Sequence, residues 1–442
     1  MTARDIDYPK LNRFVLLLFF GYVSSFFLQI GSRIEIFGTI RLEMLLAAAL
    51  LVVSIVYRPG IIYRPIGLLP WVLMLLVFVA IQVPFSVDYP VSASVFIDRF
   101  LKFSVMGIFI SVFAASPAGL KIFLAAFLLS CFKMGQEGMI GNLTGAMVWE
   151  NQGVMRLHGS TRMYGHPNSF SGMALGTIPF IYYLYPLSNK YIKLFLAVLL
   201  IFSINIVVFT ASRTGYIGLL GLAAFFWFGS RFRFRWLSYL LIAVLVSFPF
   251  IPDQYVERFS SIFGGVEKEG RSKEKRLEIL ADSFVIFVEN PLGVGVSAFP
   301  AAREDRFGRR QDTHNLYMEV LTNIGIQGFV VWAGMIYVLI SRLLSLRRLF
   351  EGLLSTVSTL PSIDSVSDSI SCHVEDLKLF SAFSKAILVY VLMRLILGLF
   401  GHDFYEIYWW VAIGGCLALN KLYWVASEKN AYIMQHRASK EG

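Results

Sequence analysis

Along this chain, runs of about 20 apolar residues alternate with polar connections, and each run is long enough to cross a bilayer as a helix. The alternation predicts twelve spans, at 13–32, 36–57, 66–84, 94–115, 118–138, 169–187, 191–211, 214–230, 236–252, 314–341, 379–400 and 404–425. The expected fold class is all-α: a polytopic membrane protein of about 12 transmembrane helices, forming one integral domain over 1–442. Short alternating strands of the kind that build an outer-membrane barrel are absent. The first span is longer than a signal-peptide core and lacks a clear small-residue cleavage site, so it reads as a retained anchor.

Basic residues set the orientation. Arg4, Lys10 and Arg13, Arg58 and Arg64, Lys190 and Lys193, Arg231, Arg233 and Arg235, and Arg342, Arg347 and Arg348 fall on the side of both termini, which the positive-inside rule makes the cytoplasm. The connection after the third span carries Asp88 and no base, and Gly401 to Asp403 carries none. Two extracytoplasmic segments are too long to be turns, 139–168 and 253–313, and segments of that length are where a site is sought first. In the longer one Leu277, Leu280, Ala281, Phe284, Phe287 and Val288 recur at helical spacing, with Glu278, Asp282 and Glu289 elsewhere around the helix. This is the pattern of an amphipathic helix on the outer membrane surface, ending at Asn290 and Pro291, after which a GVG turn returns the chain towards His314. On the cytoplasmic side, 343–378 with its serine-rich stretch Ser355 to Ser371 reads as a flexible loop without chemistry.

Composition narrows the class. With 57% hydrophobic and 15% charged residues and a mean hydropathy of +0.66, a soluble globular protein is excluded. The net charge of +10 could indicate nucleic acid, but much of the excess sits in short connections between spans, where orientation explains it; no nucleic-acid partner is expected. Cys131, Cys372 and Cys416 are few and widely spaced, so neither a disulfide framework nor a cysteine metal site is implied.

The stretch from His314 to Gly328, HNLYMEVLTNIGIQG, joins a polar, ionisable turn to a membrane helix. Asp312 and Thr313 are good helix caps, which would put His314 in the first turn. Counting 100° per residue, Gly325 lies within about 20° of the His314 direction and Gly328 within about 40° on the other side. Small residues mark close helix packing in membranes, so this face is expected to look into the protein; an interfacial capping histidine is the alternative. Arg213, in ASRTG, is either a snorkelling arginine or a buried site residue. The small residues Gly215, Gly218, Gly221 and Ala224 behind it favour burial. Arg276 follows Arg271, Lys273 and Lys275 and borders the amphipathic helix's apolar face, where its fork suits a phosphate or diphosphate. RLHGSTRMYGHPNSFSG adds Arg156, His158, Arg162, His166 and Asn168; recognition and capping by Asn168 are both open, and a zinc site is disfavoured for want of acidic or cysteine ligands. Within the fourth span Asp98, Arg99 and Lys102 form a local ion pair or line a groove. Glu304 to Arg310, EDRFGRR, resembles a transporter loop signature, but Ala301 stands where that pattern needs glycine and the side is wrong, so it reads as a basic solvated loop.

His314 and Asn315, nine residues, Gly325, two residues and Gly328 fit the histidine motif of the O-antigen ligase and polymerase superfamily of membrane glycosyltransferases, which the chain resembles. SRTG at Arg213, HPN at His166 to Asn168 and the arginine-led helix running into NPLGVG resemble family segments in the same order, over about 160–330. The resemblance implies a glycan donor linked through diphosphate to undecaprenol, used at the periplasmic face of a bacterial inner membrane. On this reading Arg213 and Arg276 hold the diphosphate and His314 is general base on the acceptor hydroxyl. Arg156, Arg162, His166, Asn168 and Asn315 are further substrate contacts, and Gly325 and Gly328 pack the helix. Arginines can stabilise the departing diphosphate, so no metal or cofactor is required, and direct displacement inverts the anomeric centre. The acceptor is lipid A core for a ligase or a second lipid-linked repeat unit for a polymerase. A transporter of lipid-linked sugar is the rival from another class; it would need functional polar groups on both faces or at mid-depth.

Overall fold

Helices begin where the sequence supplies a cap. In the computed structural model, which describes residues 8–56, 67–151, 153–229, 252–260, 272–358 and 367–441, Asn12 accepts from the Phe14 amide at 3.1 Å, and Ser116 precedes Pro117 and accepts from Gly119 at 3.1 Å. Asn189 takes two amides at once. The helices are α1 (Arg13–Leu28), α2 (Ile30–Arg33), α3 (Glu35–Thr39), α4 (Leu42–Val56), α5 (Leu68–Gln82), α6 (Tyr89–Val95), α7 (Lys102–Phe113) and α8 (Pro117–Thr144). They continue with α9 (Pro167–Leu184), α10 (Lys190–Phe209), α11 (Arg213–Gly229), α12 (Asp253–Ser260), α13 (Ser272–Glu289), α14 (Phe299–Phe307), α15 (Leu316–Ser358), α16 (Ser367–Leu397) and α17 (Ile407–Glu441).

Each expected span coincides with one or more of these helices, except 236–252, of which 236–251 lies outside the described residues together with Arg4, Arg58, Arg64, Arg231, Arg233 and Arg235. Among the described residues, Pro117–Thr144, Lys190–Phe209, Leu316–Val357 and Ile370–Leu397 are long and apolar enough to cross a membrane. Arg13–Leu28, Leu42–Val56 and Leu68–Gln82 are shorter apolar helices. The core is built from aromatic and branched side chains. Phe19, Phe113, Phe123, Phe127, Phe180 and Phe383 join α1, α7, α8, α9 and α16 through ring contacts, with centroids 5.3–6.4 Å apart.

Four features depart from the sequence reading. The polar segment 139–168 contains a hairpin, β1 (Val148–Asn151) and β2 (Val154–Leu157), so the fold is helical with one small antiparallel pair. The segment 343–378, expected to be a flexible loop, is helical over 343–358 and 367–378; 359–366 lies outside the described residues. Leu343, Leu346, Phe350 and Val357 recur at helical spacing and are buried with Leu377 and Phe380, which the serine content masked. Small residues behind Arg213 do pack, but only over two turns. A Cβ on Gly215 would strike Ser171 and one on Gly218 would come within 2.7 Å of Leu175, whereas Gly221 faces open space.

The fourth departure matters most. Gly325 is not part of a packed helical face: its φ of 69° breaks α15. The backbone groups released by the break are taken by the NPLGVG loop. Val294 donates to Thr322 O at 2.9 Å, Gly295 to Asn323 O at 3.0 Å, and Ile326 to Pro291 O at 3.0 Å. Gly293 has φ 97° and a Cβ there would lie 2.7 Å from Asn323 O, so glycine is needed on both sides of the junction. Gly328 instead leaves room for the Ile324 side chain across the break. The helical wheel that aligned His314 with Gly325 and Gly328 therefore does not apply.

Gly325→Ala is expected to destabilise the protein by about 2–4 kcal/mol, from left-handed strain and overlap with Leu292. Gly221→Ala should be neutral. Thermal unfolding of both variants in detergent checks this, and an unchanged melting point for Gly325→Ala would contradict the junction.

Candidate active site

Asn315 fastens the start of α15. Its Oδ1 accepts from the Met318 amide at 3.0 Å and its Nδ2 donates to Leu399 O at 3.1 Å, while the Leu316 amide donates to Gly398 O at 2.7 Å. Asn315, not Asp312 or Thr313, is thus the cap, because its side chain reaches the first free amides of a helix that begins at Leu316. His314 lies before the helix with a left-handed backbone, φ 48°, which is uncommon for a residue other than glycine.

The connection pinned by these bonds, 398–406, brings in a histidine that sequence reasoning missed. His402 packs edge-on against His314, with ring centroids 5.3 Å apart, and its Nε2 is 3.8 Å from Asp312 Oδ2. Gly401 to Asp403 had served only as a marker of orientation. The available signal was a histidine and an aspartate in a short polar connection at the same end of the bundle as 312–314. Buried groups hold this connection. Arg394 donates to Gly172 O at 2.7 Å, lies 3.7 Å from Asp403 and stacks 3.2 Å over the Tyr408 ring. Glu319 accepts from the Phe404 amide at 3.0 Å, and Tyr405 Oη accepts from Ser297 at 3.0 Å.

Electrostatics gathers further residues around His314. Burial, then His402 and Arg276, pull its pKa from the usual 6.5 down to about 4, with Asp312 acting in the opposite sense. His166 is likewise held at about 4 by burial, Arg156 and His402. His166 is the N-cap of α9, taking the Asn168 amide on Nδ1 at 3.2 Å; Asn168, expected as the cap, uses its side chain on Arg156 Nη2 at 2.9 Å. Arg156 is buried and donates through Nε to Thr210 O at 2.9 Å. That bond ties it to the turn that starts α11, where Ser212 caps and Arg213 is half-buried. The structure therefore brings together His314, Arg276, His166, His402 and Asp312, and joins Arg156, Asn168 and the Arg213 turn to them. Arg162 is exposed in the turn Arg162–Tyr164.

Arg276 owes its position to a buried clamp. Ile279, Asp282, Ser283 and Ile286 form the inward face of α13, while Leu277, Leu280, Phe284 and Val288 are exposed, the last 59%. Arg303 pairs with Asp282 at 2.8 Å, and Arg309 reaches Asp282 at 3.4 Å and also pairs with Glu278. Arg310 bridges Asp88 and Glu304. EDRFGRR lies partly in α14 and not wholly in a loop; its arginines are largely exposed, with Arg309 a second partner of Asp282, while Arg303 just before it is the buried counter-charge that Asp282 needs. Asp98, Arg99 and Lys102 do not pair locally: Arg99 meets Glu406 and Lys102 meets Glu43, each at 3.0 Å, and Asp98 accepts from Ser94. Among the described residues no three His, Cys, Asp or Glu side chains are grouped to hold a metal ion.

Arg276 on α13 and His314 before α15 are thus gathered at one site. Residues 197–333 match the family model described as O-antigen ligase. Over this stretch the chain is similar to that family. The matched residues include Arg213, Arg276, His314 and the Gly325 junction, whereas Arg156, His166, Arg394 and His402 lie outside them. The comparison with curated proteins gave no match.

Arg303→Met leaves Asp282 with Arg309 as its remaining partner, and should loosen α13 by up to about 3 kcal/mol. Hydrogen exchange should then rise over 272–289 and stay unchanged over 117–144; equal protection in both would contradict the clamp.

Proposed function

We propose that this protein transfers a glycan from undecaprenyl diphosphate to an acceptor sugar at the periplasmic face of the bacterial inner membrane, with both termini in the cytoplasm. The observation that carries the reading is the convergence of Arg276 and a neutral, half-buried His314 within the stretch similar to the O-antigen ligase family.

The acceptor hydroxyl gives its proton to His314 while its oxygen bonds the anomeric carbon. The bond from that carbon to the phosphate oxygen breaks, and the electron pair leaves with undecaprenyl diphosphate. Arg276 and Arg213 stabilise the charge that spreads over the diphosphate, which makes a metal dispensable, and displacement from the opposite face inverts the anomeric centre. Arg156, His166 and Asn168 border the same space as contacts to donor or acceptor. The exposed apolar face of α13 lies in the headgroup region, so that Arg276 meets the diphosphate at its own depth. Lipid A core as acceptor makes the reaction ligation. Polymerisation of repeat units is the second reading, favoured by the hairpin and the Arg156–His166 loop beside the site, which could hold a second lipid-linked glycan. Transport fits less well, since the ionisable cluster gathers at one end of the bundle.

The low pKa of His314 keeps its imidazole neutral, and so able to accept a proton, throughout the neutral range. In the free enzyme kcat/KM should be flat from about pH 8 to about pH 5 and fall as His314 is protonated near 4. A bound diphosphate adds negative charge and offsets Arg276, so it favours the imidazolium; the acid limb of kcat should lie at higher pH than that of kcat/KM. In an assay with purified protein, a defined undecaprenyl-diphosphate oligosaccharide and either lipid A core or no added acceptor, His314→Ala should lower kcat by about 10²–10⁴ without weakening donor binding. Wild-type turnover by His314→Ala would rule out the base.

A further inference from the structure

Charges of both signs act on His314. Arg276 is the cation among them, and Arg156 with its bonded Asn168 acts on His166. Asp312 is the anion, in contact with His402, and Asp403, next to His402 in sequence, is held by Arg394. An anionic diphosphate is drawn to the arginines and repelled by the Asp312 carboxylate. A neutral sugar carries no charge to oppose, and its adjacent hydroxyls are donors that a carboxylate can accept in pairs.

Asp312 and His402 have such capacity unused. The Asp312 side chain is 47% exposed, and its contact with His402 Nε2, at 3.8 Å, is too long for a hydrogen bond. His402 Nδ1 is buried without a hydrogen-bond partner among the described residues, beside the His314 ring. By contrast, His166 Nδ1 and Arg394 Nη2 are already engaged. A pyranose ring is about 5 Å across, so a sugar presenting one hydroxyl to His314 brings its neighbouring hydroxyls within reach of groups 5 Å away.

We propose that Asp312 and His402 form the acceptor-sugar subsite, binding the hydroxyls that flank the one His314 deprotonates. The proposal rests on the transfer reaction argued above and adds which groups hold the acceptor. Asp312 accepts from one or two hydroxyls, and the partly exposed His402 ring bonds another through Nε2. No proton is transferred to either group. Asp312 lies within the stretch similar to the O-antigen ligase family and His402 beyond it, so the subsite is completed only by the last connection of the chain.

The test uses the full chain in detergent, an undecaprenyl-diphosphate oligosaccharide as donor, and lipid A core or a short repeat-unit oligosaccharide as acceptor. Asp312→Asn and His402→Gln should each raise the acceptor KM about tenfold, while kcat at saturating acceptor stays within about threefold. Affinity for undecaprenyl diphosphate alone should not weaken in either variant, and thermal unfolding should show both folded. Weaker undecaprenyl diphosphate binding with an unchanged acceptor KM would overturn the proposal by assigning the pair to the diphosphate. An unchanged acceptor KM and kcat, or a loss of kcat at unchanged acceptor KM, would overturn it too. His314→Ala in the same assay separates the two claims: if it turns over normally the base assignment fails, and if it is inactive while Asp312→Asn and His402→Gln leave the acceptor KM unchanged, the subsite fails while the base stands.

Discussion

A helix in a hydrocarbon layer can be interrupted only if other groups pair the backbone that the interruption frees, since each unpaired group costs several kcal/mol. α15 is interrupted at Gly325, and the NPLGVG loop supplies the missing donors and acceptor from Val294, Gly295 and Pro291. The remainder of the site is built outwards from that junction. Gln82 donates to Leu292 O, Ser92 to Val296 O, and Ser297 to Tyr405, so α5, α6 and the last connection are all registered against one loop. The same loop follows α13 directly, which fixes where the helix bearing Arg276 ends relative to the helix that His314 precedes.

The proposed chemistry follows from this registration. An imidazole beside an arginine and a second imidazole resists protonation, which suits the base role proposed for His314 before substrate arrives. It is also a weak base in that state. In the proposed reaction an anion bound against Arg276 corrects this, because the added negative charge raises the affinity of His314 for a proton when the acceptor hydroxyl is to be deprotonated. Donor binding and base strength would thereby be coupled electrostatically.

The helices were legible because long apolar runs bounded by bases admit few readings, and capping residues such as Asn12, Ser116 and Asn189 stand where their helices begin. Arg276, His166 and Arg156 were legible as ionisable residues in long connections. What failed was whatever depended on three-dimensional pairing. Gly325 and Gly328 have the spacing of a packed helical face, and nothing local tells a packing glycine from one with positive φ; the partner that decides is some 30 residues away in NPLGVG. Asn315 was overlooked as a cap because Asp312 and Thr313 are equally good candidates by type. His402 was missed because a three-residue connection looks like a turn, and only the bonds from Asn315 and Leu316 bring it beside His314. The ion pairs of Arg309 and Arg310 in EDRFGRR were not legible because their counter-charges, Asp282, Glu278 and Asp88, lie on other elements.

The most direct measurement of the central claim, that the diphosphate is held by Arg276 and Arg213 next to His314, is photo-crosslinking with an undecaprenyl diphosphate analogue carrying a diazirine next to the phosphates, followed by peptide mapping. Labelling concentrated in 272–289 and 312–316, and lost in Arg276→Ala, is the predicted result. Labelling concentrated in 341–358, at the opposite end of α15, and indifferent to Arg276, would contradict it.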